Sequence, residues 1–255
     1  MSEIRPQYQL EKKIDWVFFD LDNTLWDFDK NAEKALHELY RKHKLHLNTT
    51  YRVEQFVQLY KDVNASYWKR YELGEIDKDK LRTGRFIDTF VLMGIEPALQ
   101  PTNIWNEYLE ICPQMTDLMP GALECLSKLS QVFKIGVLTN GFENTQNVKI
   151  IKSGINKYIQ FLQTSESVKL AKPNEEFFRL ALFENGVNRT NCVYIGDNLN
   201  TDVWGGINSG ITTFHYLYDV NNIEHITHPL FGGTVTDLVD WANWLIANQA
   251  KYESN

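Results

Sequence analysis

The chain has 255 residues, 43% of them hydrophobic and 23% charged, with a formal net charge of −7. An acidic balance argues against a polyanionic partner, so no nucleic acid is expected, although local cations or a metal can still hold a small anion. The three scattered cysteines, Cys112, Cys125 and Cys192, form no C-x-x-C pair, which argues against a zinc cluster or a disulfide framework and fits reduced thiols in the cytoplasm. The stretch Met1–Asp15 is polar and Trp16–Phe19 is far too short to span a bilayer, so no membrane association is expected.

In chain order, Ile14–Asp20 (IDWVFFD) reads as a buried strand that ends in an acid. From about Asp29 to Pro113 no strand is predicted. Four helical stripes are: Ala32, Ala35, Leu36, Leu39 and Tyr40; then Val53, Phe56, Val57, Tyr60, Val63 and Tyr67; then Ile87, Phe90 and Val91; then Ile104, Tyr108 and Ile111. The chain returns at Met119-Pro120-Gly121. A helix with Leu123, Leu126 and Leu129 on one face leads into a second strand, Phe133–Thr139. Val148 and Ile151 mark the buried face of the next helix, which Gly154 stops. Ile159–Gln163 is a weaker strand candidate. Pro173 opens a helix carrying Phe177, Leu180 and Ala181, and strands follow at Cys192–Asp197 and Ile211–His215. Gly205, Gly206 and Gly210 read as packing and helix-end residues. The pattern predicts an α/β fold, a Rossmann-like parallel sheet with helices on both faces, over 1–28 and 114–255. A helical domain over 29–113 is inserted after the first strand.

Ligands in open α/β sheets bind at the carboxyl ends of the strands. The first strand ends in Asp20-Leu21-Asp22-Asn23-Thr24, the second in Thr139-Asn140-Gly141, and the fourth in Gly196-Asp197-Asn198, with Asp202 a turn later. Lys172-Pro173 lies between the last two. Adjacent strands would bring three carboxylates, a hydroxyl and an ammonium to one rim. These four segments, in this order, resemble the motifs of the haloacid dehalogenase-like hydrolase superfamily, and the resemblance runs from Ile14 to His215.

The resemblance implies a magnesium-dependent phosphohydrolase. Asp20 and Asp197 would bind Mg2+ through their side chains and Asp22 through its backbone carbonyl. Asp20 would attack phosphorus, forming an aspartyl-phosphate, and Asp22 would serve as acid and then base. Thr139 and Lys172 would hold the phosphoryl group, and Asp202 would support the metal or Lys172. Thr24 is expected to brace its own loop, and Asn140 is either a substrate contact or a turn residue. Asn23 stands where the superfamily often has glycine, and asparagine tolerates the left-handed backbone such a turn needs. An acid two residues after the nucleophile suits an alkoxide leaving group and disfavours dehalogenation.

The helical insert resembles a cap that closes over the site in one branch of the superfamily. The segments Thr24–Phe28, Trp68–Ile76 and Leu81–Phe86 are similar to those of pyrimidine 5'-nucleotidase-like members. By that resemblance Trp26, Trp68 and Tyr71 could stack on a base, and Arg82 or Arg85 could meet sugar or phosphate. The expected substrate is a small phosphate monoester, foremost a nucleoside 5'-monophosphate. The alternatives are sugar phosphates or phosphoglycolate, a β-phosphoglucomutase-like transfer, and a silent phospholigand-binding relative.

Overall fold

The computed structural model describes residues 12–218 and 225–252, so 1–11 of the polar N-terminal stretch lie outside it. The chain divides into two compact units, one formed by Met1–Phe28 with Thr116–Asn255 and the other by Asp29–Met115.

The elements run β1 (Trp16–Phe19), α1 (Phe28–Lys42), α2 (Val53–Glu72), α3 (Lys78–Leu92), α4 (Ile104–Ile111), α5 (Ala122–Leu129), β2 (Lys134–Thr139) and α6 (Glu143–Lys152). They continue with β3 (Phe161–Thr164), α7 (Ser165–Val168), α8 (Glu175–Glu184), β4 (Cys192–Gly196), α9 (Trp204–Asn208), β5 (Thr212–Tyr216), β6 (Phe231–Val235) and α10 (Leu238–Gln249).

Among the described residues the six strands are all parallel, in the order β3-β2-β1-β4-β5-β6. Strand residues alternate between two buried faces, which is why the strands read as unbroken apolar runs. Trp16, Phe18 and Tyr194 pack on Phe177, Phe178 and Ala181 of α8. On the opposite parity, Phe19 and Phe214 meet Trp241 of α10 edge-on, at centroid distances of 5.9 and 5.3 Å. The chain builds outward from β1 to β3 and then crosses to β4 on the other side of β1. This reversal opens a crevice at the carboxyl ends of β1 and β4, where such sheets bind ligands.

The other unit packs α1 to α4 around an aromatic core. Tyr60 meets Phe86 at 4.7 Å and Tyr108 at 5.4 Å. Asp77 caps α3 by accepting from the Lys80 N–H, which satisfies one of the helix's unpaired donors. The apolar stripe expected for α3 is displaced. Ile87 and Val91 are exposed, and the buried face carries Leu81, Arg85, Phe86, Thr89 and Phe90. Polar residues on the inner face hid its true register. A similar correction holds for α5, where Leu123 is exposed and Ala122 and Cys125 are buried with Leu126 and Leu129.

Strand β6 and helix α10 were not foreseen, and α8 begins two residues after Pro173. All three cysteines are buried thiols. Among the described residues no helix is long and apolar enough to cross a membrane.

Candidate active site

The register places Phe19 beside Val137 on β2 and Ile195 on β4, so the residues after each strand share one rim. Asp20 extends the ladder by one step, its N–H donating to the Ile195 carbonyl at 2.9 Å. The chain then turns sharply. The Leu25 and Trp26 N–H groups both donate to the Leu21 carbonyl, and Asn23 takes a φ of 59°. This is the left-handed geometry that asparagine tolerates better than most residues.

Lys172 stands at the centre. Its ammonium donates to Asp20 Oδ1 and Asp202 Oδ1, each at 2.6 Å, and to the Tyr194 hydroxyl at 3.0 Å. Tyr194 donates in turn to Asp202 Oδ1 at 2.7 Å, while Asp202 Oδ2 accepts from the Asn198 N–H at 3.0 Å. Asp202 can lie so close because residue 196 is glycine, where a Cβ would collide with the Asp202 side chain. Asn140 fixes the Lys172 segment: its carboxamide donates to the Lys172 carbonyl at 3.0 Å and accepts from the Lys172 N–H at 2.8 Å. The Asn140 side chain, read as a substrate contact or a turn residue, is occupied here in holding Lys172.

Carboxylate oxygens of Asp20, Asp197 and Asp202 lie within 4.8 Å of one another. Burial pushes the Asp20 carboxyl up to about 7, with Lys172 pulling against it and Asp202 and Asp22 adding to it. Burial also raises Asp197 well above its ordinary value, and Asp20 and Asp202 reinforce the shift. Burial disfavours the Lys172 ammonium, but Asp20 and Asp202 outweigh it and raise its pKa.

One ammonium against two buried carboxylates and a half-buried one leaves surplus negative charge. The donors are all hard oxygens, so the set fits a divalent cation such as magnesium. Asp202 already engages Lys172, Tyr194 and a backbone N–H, which leaves Asp20 and Asp197 the more available donors. Thr24 also reaches outside its own loop, its hydroxyl lying 3.5 Å from Asp197 Oδ1, and His215 Nε2 lies 3.0 Å from the Asp197 carbonyl.

Asp22 belongs to a second group. Its carboxylate meets Lys149 Nζ at 2.6 Å through Oδ1 and Gln146 Nε2 at 2.8 Å through Oδ2. Gln146 Nε2 also lies 2.7 Å from the Thr139 hydroxyl, which accepts from the Gly141 N–H at 3.1 Å. The Asp22 side chain is therefore absent from the carboxylate cluster, which leaves only its backbone carbonyl for the expected metal contact.

Lys149, Gln146 and Tyr194 were not among the expected site residues. On α6 the anticipated face is overturned: Ile151 is 60% exposed, whereas Gln146, Lys149 and Ile150 are buried. The available signal was their i, i+3, i+4 spacing, masked because two of the three are polar.

Of the remaining expected contacts, Trp26 is fully buried in the α/β unit, which removes it as a base-stacking surface, and the others lie in the helical unit. Trp68 and Tyr71 are half-buried and meet edge-to-face at 5.8 Å, and Arg82 is half-buried. Arg85 differs. It is 4% exposed, donates to Asn64 Oδ1 at 2.7 Å, and lies against the Tyr60 and Tyr108 rings. Its guanidinium holds α3 to α2 rather than standing open to a ligand.

The parallel sheet, the crevice beside β1 and the carboxylate-lysine cluster define a hydrolase of the haloacid dehalogenase-like type. The model of that family, haloacid dehalogenase-like hydrolase, matches residues 14–210, and the chain belongs to it. The chain is 35% identical over 202 residues to pyrimidine 5'-nucleotidase YjjG of Escherichia coli, covering 79% of this chain and 85% of that protein. It is 29% identical over 207 residues to pyrimidine 5'-nucleotidase PynA of Streptococcus pneumoniae, covering 79% and 83%. Among solved structures, the HAD-hydrolase YfnB of Bacillus subtilis, bound to magnesium, superimposes with a TM-score of 0.80 at 23% identity, covering 92% of this chain and all of that one.

Proposed function

We propose that the protein is a magnesium-dependent phosphomonoesterase that works through an aspartyl-phosphate on Asp20, and that its substrates are nucleoside 5'-monophosphates. The observation that carries the chemistry is the buried Asp20 carboxylate, hydrogen-bonded to Lys172 within a cluster of oxygen donors. The substrate class rests on the two pyrimidine 5'-nucleotidase relatives.

Asp20 and Asp197, with the Asp22 carbonyl, would hold the metal, which when bound offsets the charge of the phosphate dianion and the nucleophile. An Asp20 carboxylate oxygen attacks phosphorus as the bond to the ester oxygen breaks, and Asp22 gives that oxygen its proton. Asp22 then accepts a proton from a water that attacks phosphorus, breaking the bond to Asp20 and releasing phosphate. Lys172 compensates charge on Asp20 and the phosphoryl group, and the Thr139 hydroxyl holds a phosphoryl oxygen. Asp202 and Tyr194 keep Lys172 in place, and Asn140 fixes its backbone.

The test is phosphate release from a panel of nucleoside monophosphates, sugar phosphates and phosphoglycolate, with magnesium or with EDTA. Magnesium-dependent release that is greatest for pyrimidine nucleotides is the expected result. A profile led by sugar phosphates would remove the nucleotidase reading and leave the esterase reading intact.

A further inference from the structure

Helix α6 turns a lysine and a glutamine inward while leaving Ile151 at the surface. That choice gives up apolar burial and places an ammonium at 4% exposure, which is costly unless the charge is paired. The pairing is specific. Lys149 takes one oxygen of Asp22 and Gln146 the other, at 2.6 and 2.8 Å, from positions three apart on one helical face.

The Lys149 ammonium also lies 4.5 Å from the Trp26 ring centroid, and Trp26 closes the Asp22 turn through a backbone bridge. Gln146 reaches Thr139 as well, and it has room because residue 141 is glycine, where a Cβ would strike the Gln146 carboxamide. One face of one helix therefore holds both oxygens of Asp22 and the hydroxyl of Thr139.

We propose that Lys149 and Gln146 are positioning residues for Asp22, fixing its carboxyl group for proton transfer to the departing oxygen. The inference rests on the phosphomonoesterase reading above and assigns the two residues no contact with substrate. The two bonds hold Asp22 as a carboxylate with little freedom to rotate; to protonate the leaving oxygen, one carboxylate oxygen exchanges its protein donor for a solvent proton while the other bond keeps the group within reach of the ester oxygen.

The test uses a series of aryl phosphates graded in leaving-group acidity and compares wild type, Lys149→Met and Lys149→Arg in magnesium. The quantity read is kcat/KM, which reports the step that breaks the ester bond. Esters of acidic phenols need little protonation, whereas esters of weakly acidic phenols depend on Asp22. Lys149→Met should lose about tenfold to a hundredfold more kcat/KM on phenyl phosphate than on 4-nitrophenyl phosphate. Its plot against leaving-group pKa should therefore steepen, while Lys149→Arg, which keeps the cation, should retain the wild-type slope.

An equal loss across the series, with the slope unchanged, is what a purely structural role would give and would overturn the inference. Wild type that releases phosphate from neither this series nor any nucleoside monophosphate would overturn the esterase reading itself, so the two failures are distinguishable. Thermal melts establish that each variant is folded. Should Lys149→Met not fold, Gln146→Met removes the other half of the clamp and must steepen the same plot.

Discussion

Lys172 makes three hydrogen bonds with its single ammonium, to two carboxylates and a phenol, at 2% side-chain exposure. Buried charges are tolerated when paired and become costly when a partner is removed, by about 3–5 kcal/mol in other proteins. Lys172→Met should therefore lower the urea midpoint strongly, because Asp20, Asp202 and Asp197 would face one another with no cation. Adding Asp202→Asn should recover part of that stability without recovering activity, since it removes a surplus charge and supplies none. Equal midpoints for wild type and Lys172→Met would contradict this electrostatic picture. The same reasoning explains why Asn140 and Tyr194 matter without entering the chemistry: each limits where the lysine can be.

Among the elements, legibility followed how purely apolar each buried face is. Strands β1, β2 and β4 are continuous hydrophobic runs ending at Asp20, Asn140 and Asp197, so both the strands and the rim residues could be read directly. Strand β6, Phe231–Val235, contains two adjacent glycines and carries little strand signal. It is held by β5, and the Phe214 ring occupies the space a side chain at Gly232 would need. Helix α6 failed for the opposite reason. A polar residue is taken to face water, yet Gln146 and Lys149 face Asp22, so the apolar period pointed to the wrong side. Helix α3 shows the same effect, with Arg85 and Thr89 on its inner face. Periodicity finds apolar cores well and finds polar inner faces poorly, because each buried polar group breaks the apolar period.

For the molecule as a whole, the carboxylate cluster should make stability depend on pH and, on the proposed function, on magnesium. Burial raises the folded-state Asp20 carboxyl from 3.8 to about 7, so between these values the folded protein keeps a proton that the unfolded chain releases. Stability in EDTA should then fall as pH rises from about 4 to 7, and Asp197, shifted in the same direction, adds to the fall. Magnesium favours the ionised carboxylates, so it should raise the urea midpoint more at about pH 8 than at about pH 5. A midpoint in EDTA that climbs through this window would contradict the assignment of surplus charge to the cluster.

The nucleophile itself can be trapped. Wild-type protein turning over a nucleoside monophosphate in magnesium would be acid-quenched within milliseconds and treated with borohydride, which reduces an acyl-phosphate to the alcohol. Peptide mass spectrometry would then read residue 20. Homoserine is expected at position 20, dependent on substrate and magnesium and absent from Asp20→Asn. Rapid phosphate release with Asp20 unmodified at every quench time, under conditions where a control acyl-phosphate is reduced, would contradict it.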